Sequence, residues 1–419
     1  MLKVVLVCSF SNAEIRDKLM MDYGLINKIA FRIMGIDITK THDSAIWNTN
    51  AIKEAEKIPD VEWHILCLVR FLKGKNQDFV SNNIHYHFIR EENSTWYRFL
   101  YHQLFTKYTS RYKKNRRAIK TKIAEILPDV VHVIGAENPY YSLSILDVPK
   151  SVPTIIQLQA LLDRLKNVTK VKSERIECYY KGILEREIIN RADYIGTALK
   201  EFREYIIKEI KPYAQFLDTT LAMGQEINID KENKVFDFVY FSANISKAGE
   251  EAIRTFSIIH RRHPELTLDI VGGYDEALKR RLDAYINENN MQNAVKFEGH
   301  LATHEDVISQ IRKARFALLP LKMDFVPNTI REAMANGLPV LTTITDGTPA
   351  LNKQRQCVML SEQDDYEAMA YNAELLLNDT ELANTLRNNA ANLEIENTNN
   401  YEIICNWCKA YYAITKKVN

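Results

Sequence analysis

Two acids, Asp324 and Glu332, stand eight residues apart across a helix start in the run D-F-V-P-N-T-I-R-E-A-M-A-N-G-L-P-V, from Asp324 to Val340. Gly337 is placed to close that short helix, Pro339 prevents its resumption, and residues 340–342 read as the next apolar strand. A helix N-terminus offers unpaired backbone N–H groups and the positive end of the helix dipole, which suit phosphate. Carboxylates beside it accept hydrogen bonds from sugar hydroxyls. Phosphate donors and hydroxyl acceptors in one place point to a site for a nucleotide sugar.

The elements that must position these residues follow the alternation of a doubly wound sheet. Residues 2–8, 63–69, 84–89, 130–134, 154–158 and 194–197 read as strands, several of them near-continuous apolar runs expected to be covered on both faces. Helical patterns fall between them, at 45–57 and 173–190 among others. The pattern restarts at 236–241. Strands are expected at 267–271, 295–297 and 316–320, with helices at 249–263 and 275–289, and helical segments continue from about residue 362 nearly to the end. The chain, at 419 residues, exceeds a single hydrophobic core. We therefore expect two Rossmann-like domains, 1–220 and 221–399, with the boundary between Lys211 and Asn233 and a C-terminal helix, 400–419, packing back on the first. Ligands of such sheets bind at the carboxyl ends of the strands.

Composition narrows the function. Hydrophobic residues make up 46% and charged residues 26%, ordinary for a globular protein. A net charge of +1 gives no global case for nucleic acid. The six cysteines are scattered, and Cys8 and Cys67 fall in expected buried strands, which favours reduced thiols and a cytoplasmic location. Cys405 and Cys408 form the only C-x-x-C, and no second pair stands near them to complete a zinc site. No apolar run is long enough to span a bilayer. The opening residues 1–9 read as a first buried strand and not as a signal peptide.

The run from Asp324 to Val340 also resembles the donor-binding signature of family-4 retaining glycosyltransferases, E-G-F-P-N-x-x-x-E-A-M-A-x-G-x-P-V. The chain keeps Pro327, Asn328, Glu332, Ala333, Met334, Ala335, Gly337, Pro339 and Val340. It departs at the first acid, Asp324 in place of Glu, and at Phe325 in place of Gly. Similarity extends over residues 236–378, through F-V-Y-F-S-A-N-I-S-K-A-G-E-E-A-I, L-D-I-V-G-G-Y-D-E-A-L and V-K-F-E-G-H-L-A-T-H-E-D-V. In the first half only D-V-V-H-V-I-G-A-E and R-A-D-Y-I-G-T-A resemble family segments. The resemblance implies the GT-B fold, two Rossmann-like domains facing a cleft, with an N-terminal acceptor domain and a C-terminal domain for the nucleotide sugar. It implies a glycosyltransferase of the hexosyl-transferring type.

The same resemblance implies the site. Lys247, in S-K-A-G, matches a cation that steadies the departing diphosphate. The companion Arg falls at Ser242 or Ala243 and is absent, which leaves Arg331 as a substitute or as a surface residue. Asp324 would contact the donor sugar and Glu332 the ribose hydroxyls. Backbone N–H groups at Asn328 and Thr329 would face phosphate, while Pro327 contributes shape. Gly347, in T-D-G-T-P, is similar to a family glycine after the following strand. Lys247 and Asp324 are the expected catalytic pair. Family members react by front-face attack without a clear protein nucleophile and generally without metal or cofactor, so the donor, a UDP- or GDP-sugar, enters as substrate. His300 and His304 stand on a strand-end loop, one of them near the nucleobase.

On the acceptor side, C-S-F-S-N lacks the family's glycine pair, and Gln157-Leu158-Gln159 stands where a His-Gly is common. Glu137 ends a strand and either serves the acceptor or is simply solvated. Two stretches point toward a membrane: the apolar residues 19–34, and 107–122 with eight Lys/Arg and no acid. Together these observations predict a cytoplasmic enzyme, either peripheral on an anionic membrane or carrying 107–122 as a solvated basic helix. The family resemblance implies that it transfers a sugar to a glycan or lipid-linked acceptor in surface polysaccharide assembly, and the near-neutral net charge speaks against a nucleic-acid partner. Another GT-B enzyme (an epimerase or hydrolase) and a non-catalytic sugar- or nucleotide-binding partner are the alternatives.

Overall fold

A computed structural model describes residues 1–9, 12–33, 45–91, 111–165, 172–224, 227–229, 233–244, 248–274, 276–301, 303–322, 328–345, 347–397 and 399–416. The chain divides into two compact units, Met1–Met223 with Asn400–Asn419, and Gly224–Asn399.

The first unit is built on eight strands: β1 (Leu2–Val7), β2 (Val61–Val69), β3 (Asn76–Ser81), β4 (Ile84–Arg90), β5 (Val130–Ile134), β6 (Thr154–Gln157), β7 (Tyr194–Gly196) and β8 (Phe216–Leu217). Their spatial order is β3-β4-β2-β1-β5-β6-β7-β8. Every pairing is parallel except β3 with β4. The central strands are apolar because helices cover both faces: Val4, Val5, Val7, Val130 and Val133 are fully buried. The β3–β4 hairpin turns through Asn82 and Asn83, both with positive φ, as a tight two-residue hairpin demands. β3 escapes the sequence pattern because N-Q-D-F-V-S is an edge strand that alternates exposed with half-buried residues.

The helix Asn400–Lys416 belongs to this unit. Ile404, Trp407, Tyr411 and Ile414 join its core, Trp407 Nε1 donates to the Thr220 carbonyl at 3.0 Å, and the Tyr411 hydroxyl lies 2.6 Å from His132 Nδ1. Cys8 and Cys67 are buried free thiols with their sulfurs 4.0 Å apart. Cys405 and Cys408 share this last helix, and no group of three or more metal-ligating side chains occurs among the described residues.

The second unit carries β9 (Phe236–Asn244), β10 (Leu268–Gly273), β11 (Val295–Gly299), β12 (Ala314–Leu319), β13 (Val340–Thr343) and β14 (Val358–Ser361). They form one parallel sheet in the order β11-β10-β9-β12-β13-β14. The order reverses between β9 and β12 here, and between β1 and β5 in the first unit. Each reversal opens a crevice at the carboxyl ends of its two strands. Among the described residues no helix is long and apolar enough to cross a membrane.

The basic stretch 107–122 divides. Residues 107–110 lie outside the described residues. From Lys113 onward the chain forms the helix Lys113–Ile126. Arg111 pairs with Glu187, Arg116 grips Asp147 through two bonds of 2.7 and 2.9 Å, and Lys122 reaches Asp78 at 3.1 Å and Glu125 at 2.8 Å. These cations are internal ties and not part of a free basic face.

Candidate functional site

In the second unit the helix Asn328–Ala335 follows β12 and starts at the β9/β12 crevice. Ile330, Ala333, Met334 and Ala335 are fully buried, which anchors the helix to the sheet. Gly337 ends it with φ +69°, and a Cβ there would stand 3.3 Å from the Ile229 backbone, so the closing position takes glycine for both reasons. Residues in the first turn, Thr329 among them, have no carbonyl four positions back within the helix, so their N–H groups face outward from its start.

Glu332 sits one turn into this helix and is 7% exposed. Asn328 Nδ2 donates to its Oε1 at 2.8 Å, and His304 Nε2 lies 3.8 Å from the same oxygen. Burial pushes the Glu332 carboxyl up to about 8, against the pull of the Asn328 amide. A shielded carboxyl at a strand-end crevice, oriented by an amide and beside a histidine, is equipped to take hydroxyl groups. His304 opens the helix His304–Ile311, whose capping box joins Thr303 and Asp306. Asn328, Thr329, Glu332 and His304 are thus brought together, while Lys247 and Asp324 lie outside the described residues.

Arg331, the candidate substitute cation, is engaged within the unit. Its Nε donates to Glu394 Oε1 at 3.2 Å, and Glu394 is fully buried in the helix Thr380–Asn397. Position 331 points back into the unit because the helix turns it away from Glu332. Gly347 has an ordinary backbone conformation, φ −106°, and its N–H approaches Thr345 Oγ1 at 3.4 Å. The loop around it is closed by Thr348 Oγ1, which accepts from the Thr345 N–H and donates to the Thr343 carbonyl, both at 2.8 Å.

One cation escaped the sequence reading. Lys322 lies just past the end of β12 and pairs with Glu251 in the helix Gly249–Arg262, which follows β9. Burial opposes its charge, but the Glu251 carboxylate outweighs that and holds its affinity for the proton above the ordinary value. Its only sequence signal is position, two residues before Asp324.

The first unit offers a second polar constellation at its own crevice. Glu137 follows β5 with its Oε2 shielded and unpartnered, and burial pushes the carboxyl up to about 7. Asn138 Nδ2 donates to Oε1 at 2.7 Å. With the Gln159 amide oriented to satisfy both neighbours, it donates to the same oxygen at 2.8 Å and accepts from Trp47 Nε1 at 2.9 Å. Gly135 has φ +92°, and a Cβ there would stand 2.7 Å from Glu137 Oε1. The carboxyl is therefore positioned and not merely solvated. Gln159 and Trp47 stand far from it in sequence, which hid the grouping.

Comparison with known proteins agrees with this architecture. Residues 225–393, all in the second unit, match the model of the family described as glycosyl transferases group 1. No curated protein matches by sequence. Sucrose-phosphate synthase from Thermosynechococcus elongatus superposes with a TM-score of 0.71 over 100% of both chains at 15% identity. The E. coli trehalose-6-phosphate protein bound with UDP-2-fluoro glucose gives 0.65 at 8% identity over 98% of each chain. The pneumococcal O-GlcNAc transferase in complex with UDP and GlcNAc gives 0.53 at 14% identity, over 71% of this chain and 60% of that one. At such identities these likenesses establish the fold, while the family model speaks for the chemistry of the second unit. Residues 225–393 are a glycosyl transferases group 1 domain, and the chain is a glycosyltransferase of the GT-B fold.

Proposed function

We propose that the protein is a family-4 retaining glycosyltransferase that moves a sugar from a UDP- or GDP-sugar to a glycan or lipid-linked acceptor in surface polysaccharide assembly. The observation that carries this reading is Glu332, shielded and held by Asn328 at the start of a helix on the β9/β12 crevice. In this reading Glu332 accepts the ribose hydroxyls, and the N–H groups at Asn328 and Thr329 face the diphosphate. Lys247 and Lys322 supply positive charge as the diphosphate departs, Asp324 contacts the sugar, and the backbone at Gly347 lines the donor. The first unit holds the acceptor, with Glu137 at its crevice. UDP in two of the structurally similar proteins supports a nucleotide-sugar donor. Work at the cytoplasmic face of a membrane is supported by the exposed apolar side chains Met20, Leu25 and Ile29, at 60%, 76% and 51% exposure.

A thermal-shift screen of nucleotides and sugar nucleotides tests the donor directly, since a ligand at 100 times its Kd adds about 2.7 kcal/mol of stability. For the nucleotide so found, Glu332→Ala is expected to weaken binding about 10- to 150-fold, the equivalent of hydrogen bonds to a charged group worth ~1.5–3 kcal/mol. Unchanged affinity in calorimetry would remove Glu332 from the ribose.

The same residue sets a pH dependence. Glu332 holds its proton up to about 8 in the free protein and must lose it to accept two O–H bonds. Nucleotide affinity is then expected to climb with pH toward that value and to level off above it, with a proton released on binding. The Glu332→Gln variant should lose that component of the climb. Identical pH profiles for the variant and the parent would show that Glu332 does not ionise on binding.

A further inference from the structure

A cleft of about 580 Å³ lies between the β3–β4 hairpin and the helix Lys113–Ile126. Its walls carry Lys75, Arg90, Lys113, Lys114, Arg117 and Lys122, against the single acid Glu125. Lys122 is already neutralised by Asp78 and Glu125. The other five cations are exposed and form no ion pair among the described residues. Two other cations of the same stretch are paired, Arg111 with Glu187 and Arg116 with Asp147. Five unpaired cations thus share a single concave surface.

Five like charges converging on a concavity repel one another, and concave walls concentrate their potential. The helix dipole adds to the strain, because Lys113 and Lys114 occupy the first turn, where no acid and no side-chain cap offsets the positive end. A local arrangement that works against folding marks a place for a ligand. The charge calls for an anion of more than one negative charge, and Arg with Lys suits phosphate oxygens. The volume falls within the ~300–1,000 Å³ range of small-molecule sites.

Position supplies the role. β4 runs parallel to β2, and Arg90 is its last residue, so the cleft opens at the carboxyl edge of the first unit's sheet. That is the edge where such sheets take their ligands, and Glu137 follows β5 at the same edge. A flat bilayer would meet only the rim of a concave site, whereas a phosphate group can enter it. We propose that this cleft binds a phosphate-bearing group of the acceptor, so that the acceptor is an anionic, phosphorylated molecule. The acceptor role rests on the transferase reading above.

The test is calorimetric titration of the full chain with inorganic tripolyphosphate, with UDP and GDP both saturating so that the donor site is filled. Wild type should bind tripolyphosphate. The variant Lys113→Gln/Lys114→Gln/Arg117→Gln, made at exposed unpaired positions, should bind it at least about tenfold more weakly and with a shallower salt dependence. Its nucleotide affinity should match wild type. No binding by wild type, or equal binding by the variant, overturns the proposal. So does wild type that sediments with phosphatidylglycerol–phosphatidylcholine vesicles yet ignores tripolyphosphate, since that marks a membrane-contact face. Nucleotide binding is measured separately, so a failure of the donor reading and a failure of the cleft give different results.

Discussion

Lys247→Ala is expected to lower sugar transfer by about 10²–10³, the usual cost of removing one preorganised stabiliser of developing charge. The loss arises because breaking the glycosidic bond leaves its electron pair on the diphosphate, and negative charge grows there in the transition state. Lys247 belongs to the segment between Asn244, which ends β9, and Ala248, which is fully buried just before the helix Gly249–Arg262. The matching Arg of the family pattern is absent, and Arg331 is committed to Glu394. Lys322 is the remaining cation at this edge among those described above, and it already answers to Glu251. Little charge is therefore available to compensate for Lys247. The measurement is transfer, or slow hydrolysis of the donor, alongside the melting temperature. Stability should hold within about 0.5 kcal/mol, as for a surface substitution. Turnover near wild type would place the diphosphate elsewhere, with Lys322→Ala as the next variant. Absence of turnover in wild type with every common donor would favour a non-catalytic binding role.

Arg331→Ala should act on stability instead. Removing one partner of a buried ion pair costs about 3–5 kcal/mol, because the other charge is left uncompensated. Here the stranded group is Glu394, which has no exposure and whose Oε2 already lacks a partner. Burial raises its proton affinity, and Arg331 holds that rise in check. Without Arg331 the carboxyl escapes part of the cost by taking up a proton. A folded-state affinity raised above the unfolded one gives stability that is present at low pH and is lost as pH rises. The variant should therefore be least disturbed near pH 5 and most disturbed near pH 8 (about those values), following that linkage. For a unit of this size a loss of ~3 kcal/mol lowers Tm by roughly 6–12 °C. The double variant Arg331→Met/Glu394→Gln should recover most of it, since neither side chain then carries a charge. Arg331→Ala with wild-type stability but greatly weakened donor binding would return Arg331 to the phosphate.

The Glu332→Ala and Arg331→Ala variants would separate two jobs proposed for one short helix. Glu332 faces the crevice, and Arg331, its neighbour in sequence, ties the helix to the helix Thr380–Asn397. Adjacent positions on a helix lie about 100° apart, so one can serve the ligand while the next serves the scaffold.

Much of the architecture was legible in the residues themselves. Strands covered on both faces must be apolar along their whole length, so β1, β5 and β9 announced themselves as V/I/L/F-rich runs. The helix Asn328–Ala335 was legible because its end needs particular chemistry: Gly337 for a positive φ, and Pro339 to forbid continuation. Identities and spacing around Glu332 carried its candidate role as well. Periodicity, however, reports which face of an element is covered and not by what. β3 stayed hidden because an edge strand with polar alternation resembles a loop. The partner of Arg331 lies 63 positions away, and the partners of Arg111 and Arg116 lie 76 and 31 away. No local rule connects them. Only the tertiary structure joined Glu137 to Gln159 and Trp47, and only it sorted one basic stretch into residues tied to distant acids and residues left to line a cleft. Burial of apolar runs is a local property written in composition. The pairing of charges depends on which segments the sheet order brings together.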